Sequence, residues 1–290
     1  MQFASALQSK NFVVIAEMPT PKGVDLSGFV DSAQNLKGRV DAVLIPDMSH
    51  GVMRLSALAG AVVLKQQGLE SIVQFCCRDR NRLALQGDLL AAHVLGVANI
   101  MASDGEPIET GDQPGAKAVG DLGAKDLLAA AMALSQGRDL GGKELMGRPR
   151  FCLGARVEGW EDAAQAQARA AEAKAAVDKG ASFVVVPPVF DLAALAAFTQ
   201  AAQGLRAPVI ASVLLLKSVG MARYLNHNLP GSKISEETIQ RIRAASDRAA
   251  ECVKIAAETL SGLRPLCGGA LLVAAGWEDR LPSILDAASA

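Results

Sequence analysis

The chain has 290 residues, of which 50% are hydrophobic and 4% are aromatic. Its 29 basic and 30 acidic residues nearly cancel, and no basic run carries interleaved aromatic residues, so the composition argues against a nucleic-acid partner or an anionic membrane surface. The longest apolar runs, such as 209–216, fall far short of the roughly 20 residues that cross a bilayer, and the N-terminus lacks the pattern of a secretory signal. We therefore expect a cytoplasmic protein that acts on a small molecule.

Short apolar runs alternate with amphipathic helical patterns along the chain. The runs predict eight strands, at 11–17, 41–46, 71–77, 98–103, 151–157, 182–190, 208–216 and 267–275. The helical patterns lie at about 26–37, 54–68, 80–95, 124–136, 161–179, 192–203, 235–261 and 277–288. Eight consecutive βα units, without a linker long enough to divide them, predict an α/β fold: one (β/α)8 TIM barrel that forms a single domain over residues 1–290.

The first predicted strand ends on a single carboxylate. The stretch "FVVIAEMPTPKG" is apolar up to Glu17 and then turns through two prolines and a glycine, so Glu17 stands where the strand becomes a loop. In a barrel of this kind, the loops after the strands form the functional face. Because unpaired carboxylates at buried strand ends are uncommon, a functional Glu17 is favoured over one that caps the loop or pairs with Lys22.

Two further loops on the same face carry candidate residues. The motif "RDRN", 78–81, follows the third strand, and its two arginines suit bidentate contact with a phosphate or a carboxylate, while Asp79 can cap the next helix. A solvated cluster of salt bridges is the alternative. The stretch from Gly105 to Gly123 is the longest irregular one, and loops of that length are usually functional or mobile.

Other chemistries find no support in the sequence. The three histidines and five cysteines lack the spacing of metal ligands, so no metal site is predicted. The glycine-rich phosphate fingerprints and the GxSxG pattern of acyl hydrolases are also absent. The odd number of cysteines and the absence of a secretory signal predict buried, free thiols.

Five blocks of sequence carry a resemblance to a known family. In chain order they are "EMPTPKG", "RDRNRLALQGDLLAAHVLG", "GRDLGGKELMGRPRFCLG", "GASFVVVPPVFD" and "LLLKSVGMARYLNHNLPG". Together they resemble the methylenetetrahydrofolate reductase family, most closely its short single-domain prokaryotic members. The resemblance implies a barrel that binds FAD and a folate at the C-terminal ends of its strands and reduces 5,10-methylenetetrahydrofolate to 5-methyltetrahydrofolate.

The resemblance also implies roles for individual residues. Glu17 occupies the position of the general acid that protonates N10 when the folate ring opens to an iminium, and an apolar surrounding would raise its pKa. The motif "SDGEP" aligns with a Gly-Asp motif beside the flavin, although a plain Asp-Gly turn is the alternative. The residues expected to bind the cofactor are Arg78, Asp79, Gly105, Glu106 and Lys174. The residues expected to bind the folate are Asp104, Phe190, Tyr224 and Asn228.

The last two of these residues lie in "KSVGMARYLNHNLPG", 217–231, which predicts a substrate-facing loop or a short helix over the barrel mouth. Tyr224 is placed to stack on an aromatic ring of the folate, and Asn228 to form a hydrogen bond with it. The alternative is an ordinary helix end that the Pro-Gly pair closes.

Five positions depart from the pattern of the family. Pro46 replaces a threonine that touches the flavin, Gln74 replaces a histidine, and Pro187 replaces the glutamine that recognises the pterin. The pair 175–176 is Ala-Ala where relatives place Arg-Lys against the cofactor phosphates. These changes leave two hypotheses open: a reductase that holds FAD or FMN through other residues, and a flavin-free folate-binding protein that transfers a methyl group between tetrahydrofolate and a corrinoid protein.

The expected partners follow from these two hypotheses. Both require a tetrahydrofolate-type substrate. The reductase would receive electrons from a donor, which can be a partner subunit, and the methyl-transfer protein would meet a corrinoid protein. We also expect the chain to form a homo-oligomer.

Overall fold

The computed structural model describes residues 2–229 and 231–289. Eight parallel strands follow one another in chain order round a closed barrel, and the eighth pairs again with the first. They are β1 Val13–Glu17, β2 Ala42–Ile45, β3 Ser71–Cys76, β4 Asn99–Ser103, β5 Cys152–Arg156, β6 Ala181–Pro188, β7 Val209–Leu214 and β8 Gly269–Val273. The predicted (β/α)8 barrel is confirmed, and each observed strand overlaps its predicted run.

Helices fill the connections between the strands and surround the barrel. They are α1 Gln2–Ser9, α2 Ser27–Gln34, α3 Ala57–Gln66, α4 Arg82–Val94, α5 Ala124–Ser135, α6 Ala163–Asp178, α7 Leu192–Ala201, α8 Val219–Asn228, α9 Glu236–Ala244, α10 Arg248–Leu263 and α11 Leu281–Ser289. None of the helices in the described ranges is long and apolar enough to cross a membrane.

The single helix predicted over 235–261 is wrong, because two helices, α9 and α10, occupy this stretch. Ala245, at the end of α9, has an extended backbone, and the carboxylate of Asp247 accepts the backbone N–H of Ala250 at 3.0 Å. Asp247 therefore caps a new helix. Short polar side chains are favoured at such caps and disfavoured inside helices. The amphipathic pattern of the sequence therefore continues past Asp247, although the helical backbone is interrupted there.

The sequence did not predict α1, which closes the end of the barrel opposite the functional face. Phe3 is fully buried, and its ring meets that of Phe183 edge to face at a centroid distance of 5.5 Å. Phe3 belongs to the inner core, which fills the barrel interior and includes Val13, Ile15, Leu44, Ile72, Met101, Cys152, Phe183, Ile210 and Leu271. A second, outer core lies between the strands and the helices.

The five cysteines are free thiols, as predicted, and four of them are buried. Burial raises the pKa of the adjacent thiols of Cys76 and Cys77 to about 11 and about 12, so both are protonated at neutral pH. Cys267 is partly exposed.

Candidate active site at the barrel mouth

The side chains that point inward at the ends of the strands define the barrel mouth. Successive residues of a strand point to opposite faces of the sheet. A residue an even number of positions after an inner-core residue of the same strand therefore also points into the barrel. Val13 and Ile15 belong to the inner core, and Ala16 belongs to the outer core, so Glu17 points into the mouth. The same alternation gives the wall of the mouth: Glu17, Gln74, Ser103, Arg156, Leu214 and Val273.

Glu17 is a carboxyl group held in this mouth by its strand. Its side chain keeps a small exposed fraction, and no described residue forms a hydrogen bond or an ion pair with its carboxylate. Burial raises its pKa above the ordinary value of 4.5; the electrostatic effects of Arg156 and His50 oppose this rise, while those of Glu106 and Glu278 add to it. Lys22 forms an ion pair with Asp112, so the alternative in which Lys22 neutralises Glu17 is not found.

The loop after β2 brings strained backbone to the mouth. Met48 and His50 both have positive φ angles, 46° and 55°, a region that residues other than glycine rarely adopt. The backbone N–H of His50 donates to Oε2 of Glu106 at 3.1 Å, so the loops after β2 and β4 are joined beside Glu17. Strain of this kind persists where the surroundings impose it, and it is common at functional sites.

Arg78 and Asp79 lie at the mouth but bind each other. The guanidinium of Arg78 donates from Nε and Nη2 to the carboxylate of Asp79 at 2.7 and 2.9 Å. Its Nη1 donates to the carbonyl of Glu106 at 2.6 Å, and Nη2 also donates to the carbonyl of Met48 at 3.1 Å. All three nitrogens of this buried side chain therefore contact protein acceptors, which is the arrangement expected for a salt-bridge cluster.

The "SDGEP" residues take three different positions. Asp104 accepts the backbone N–H of Ala124 at 2.7 Å, so its carboxylate lies at the start of α5. Gly105 has a φ of 84°, and an added Cβ would lie 2.4 Å from Sγ of Cys76, so this position requires glycine. Glu106 is exposed, with Oε1 4.0 Å from Nδ1 of His50. Of the three, Glu106 presents the carboxylate that acts on the pKa of Glu17.

The structure does not bring Lys174 to the mouth. It lies eleven residues after the start of α6, or roughly 16 Å along a helix that begins beside the mouth and runs towards the opposite end of the barrel. There its exposed side chain borders a groove on the outside of the barrel, between α6 and α7, with Leu205 from the connection to β7. The neighbouring Arg169 lies nearer the mouth, and its guanidinium pairs with Glu158 and Glu172, both at 2.9 Å.

The predicted folate contacts after β6 and β7 lie at the rim. Phe190 is partly buried and borders a shallow pocket with Trp160 and Pro187. Tyr224 is 66% exposed on α8, so of the loop and the short helix that the sequence left open, the helix forms. The amide of Asn228 donates to the carbonyl of Tyr224 at 2.8 Å, a contact within the helix that matches the alternative of an ordinary helix end.

The sequence patterns gave Arg156, His50 and Glu278 no role at the mouth. For Arg156 a signal was present, because it is the only basic residue in any of the eight strands. His50 and Glu278 lie in the loops after β2 and β8 and not in a strand, so no strand pattern marks them. Their placement depends on loop geometry.

The fold and the site together define a class: a (β/α)8 barrel with an unpaired, largely buried carboxylic acid at its mouth. A family model described as methylenetetrahydrofolate reductase matches residues 2–263. The chain belongs to the methylenetetrahydrofolate reductase family, so the resemblance found in the sequence is confirmed. No curated protein matches the chain.

Two solved structures with a similar fold come from bacteria. A protein from Clostridium thermocellum that binds two copies of 5-methyl-5,6,7,8-tetrahydrofolic acid is 11% identical, with a TM-score of 0.70 over 99% of this chain and 98% of that chain. EDTA monooxygenase from Chelativorans sp. BNC1 is also 11% identical, with a TM-score of 0.57 over 96% of this chain and 93% of that chain. At these identities the similarity establishes the fold alone.

The residues predicted to hold FAD do not fit its phosphates. Phosphate recognition needs unoccupied donors, and the nitrogens of Arg78 already contact Asp79 and backbone carbonyls. Lys174 lies outside the mouth, and the Ala175-Ala176 pair supplies no donor in its side chains. The phosphate of FMN would meet the same obstacle at these residues.

Proposed function

We propose that the chain binds a reduced folate in the barrel mouth and that the carboxyl group of Glu17 protonates a nitrogen of this folate during a one-carbon reaction. The observation that carries the proposal is the state of Glu17, which has a raised pKa and no bonding partner among the described residues. A carboxylic acid with a raised pKa keeps its proton to higher pH than usual, and it can donate that proton in catalysis. Membership of the family, and the folate bound by the Clostridium thermocellum protein, support a folate as the ligand.

The finer proposal is the reaction for which the family is named, reduction of 5,10-methylenetetrahydrofolate to 5-methyltetrahydrofolate. The bond between the methylene carbon and N10 breaks, and N10 takes the proton of Glu17. The cationic iminium that remains at N5 would accept a hydride, which a bound reduced flavin would supply, and would become the methyl group. Glu106 and Glu278 contribute negative charge near this cation, which favours its formation.

The poor fit of the predicted residues to flavin phosphates favours a second candidate, methyl transfer without a flavin. In this reaction the bond between N5 and the methyl group of 5-methyltetrahydrofolate breaks, and the methyl group passes to the reduced cobalt of a corrinoid protein. N5 ends with a proton, which Glu17 supplies. The same acid therefore serves both reactions.

Two measurements on the purified protein test these proposals. Isothermal titration with 5-methyltetrahydrofolate should give saturable binding, and its absence would contradict folate binding as such. The absorbance spectrum, with identification of any extracted flavin, separates the two reactions: a flavin band supports the reductase. A colourless protein that binds the folate supports methyl transfer.

A further inference from the structure

The eight strands contain two charged residues, Glu17 and Arg156. Each is the last residue of its strand, and their strands, β1 and β5, are four steps apart in either direction round the closed barrel. Because β1 and β5 therefore face each other, an acid and a cation stand on opposite walls of the same mouth.

Arg156 points into the mouth. Its neighbour Ala155 packs in the outer core, while Cys152 packs in the inner core, so the alternation along β5 directs Arg156 inward. The side chain is exposed, and none of the residues 2–229 and 231–289 forms a hydrogen bond or an ion pair with it. It is also the strongest charge that acts on Glu17, so the two groups lie within electrostatic reach of each other.

Two other cations on this face, Arg78 and Lys217, are bound to the protein. The guanidinium of Arg78 contacts the carboxylate of Asp79 and two carbonyls. Lys217, just after β7, donates to the carbonyl of Ala275. Arg156 keeps its five N–H donors for a ligand.

We propose that Arg156 binds a carboxylate of the same ligand whose nitrogen Glu17 protonates. This inference rests on the proposed function, in which the ligand is a reduced folate, so the carboxylate is one of the two in its glutamate tail. The planar guanidinium fork matches a carboxylate in two parallel hydrogen bonds. This contact orients a ligand that spans from Glu17 to Arg156. The wall that carries Arg156 prefers a negative group, and the wall that carries Glu17 does not.

Binding of a carboxylate has a consequence for Glu17. The positive charge of Arg156 opposes the rise in the pKa of Glu17. A bound carboxylate offsets that charge, so the occupied mouth holds Glu17 in its protonated form more firmly than the empty mouth. The substrate would then help to prepare the acid that acts on it.

The test is isothermal titration of two ligands against matched variants. The ligands are 5-methyltetrahydrofolate and its diamide, in which both tail carboxylates are amides, and the variants are Arg156→Gln and Arg156→Lys. The wild type should bind the folate about 10- to 100-fold more tightly than the diamide. Arg156→Gln should lose this preference by weakening the folate alone, and Arg156→Lys should retain part of it.

Arg206→Gln is the matched control, because Arg206 is an exposed arginine in the connection between α7 and β7, away from the mouth. It should bind both ligands as the wild type does. The inference is overturned if Arg156→Gln binds the folate as tightly as the wild type, or if it weakens the folate and the diamide equally; folate binding by the wild type would still stand in both cases. If the wild type binds neither ligand, the inference and the proposed function fail together.

Discussion

Glu17 is the residue on which the account depends, and its pKa predicts how stability varies with pH. The folded-state pKa is raised above 4.5, so the wild type loses stability as the pH rises from about that value through the folded pKa. Glu17→Gln removes this ionisation and conserves the volume. We expect the variant to gain stability over the wild type as the pH rises, with equal stabilities below the ordinary pKa, as measured by urea unfolding across pH. A constant difference at all pH values would contradict a raised pKa.

Arg156 acts on the same titration from the opposite wall. Its charge lowers the pKa of Glu17, so Arg156→Gln should raise that pKa further. Because the proposed reaction needs the protonated acid, its rate falls as the pH rises through this pKa. The fall should therefore move to higher pH in Arg156→Gln than in Arg206→Gln, in a profile of kcat/KM against pH, which reports the pKa of the ligand-free enzyme. An unchanged profile would show that Arg156 lies too far from Glu17 to affect it.

At the scale of elements, α1 stabilises the end of the barrel away from the mouth. Phe3 is fully buried against Phe183, and removal of a buried phenylalanine side chain typically costs about 3–5 kcal/mol. Phe3→Ala should lower the free energy of unfolding by about this amount. Leu83→Ala, on the exposed face of α4, should change it by less than about 0.5 kcal/mol. Equal effects in urea unfolding would mean that α1 is not part of the folded core.

The loops after β2 and β4 meet at a contact that leaves no room for a side chain. A Cβ added at Gly111 would lie 2.1 Å from the carbonyl oxygen of Gly51, whereas one added at Gly115 would meet nothing within 4 Å. Gly111→Ala should therefore push the two loops apart and cost about 1–3 kcal/mol, and it should also weaken folate binding. Gly115→Ala is the control and should behave as the wild type. Identical folate affinities for the two variants would show that this contact does not shape the mouth.

The elements also show how far the sequence could predict the structure. The strands were predictable because apolar runs of four to eight residues, bounded by loop residues, occur in each βα unit. The helix α1 was missed because eight residues form a helix only with tertiary support, here from Phe3 in the inner core. The loop contact between Gly51 and Gly111 joins residues far apart in sequence, so no local pattern could have revealed it.

At the scale of the whole molecule, the chain is expected to unfold as one domain. The barrel closes only when β8 pairs with β1, so residues near both ends of the chain hold the same sheet. We therefore expect a single cooperative transition, with fluorescence and circular dichroism giving the same midpoint in urea. Two separated transitions would contradict a single domain.

The functional site was predictable only in part, and for a physical reason. The topology of a barrel brings the strand ends together, so Glu17 could be assigned to the mouth from its position alone. Side-chain partners are not fixed by topology: in the structure, Arg78 pairs with Asp79, and Lys174 lies on an outer groove. The assignment of these two to a flavin stays a prediction that the observed contacts do not support.

The activity of Glu17→Gln tests most directly whether Glu17 donates the proton to the folate. General acid catalysis contributes about a hundredfold or more to a rate, so kcat for interconversion of 5,10-methylene- and 5-methyltetrahydrofolate, or for methyl transfer if the protein carries no flavin, should fall at least that far. Binding of 5-methyltetrahydrofolate by the variant should stay within a few fold of the wild type. A variant that binds the folate and turns over within a few fold of the wild type would contradict this role of Glu17.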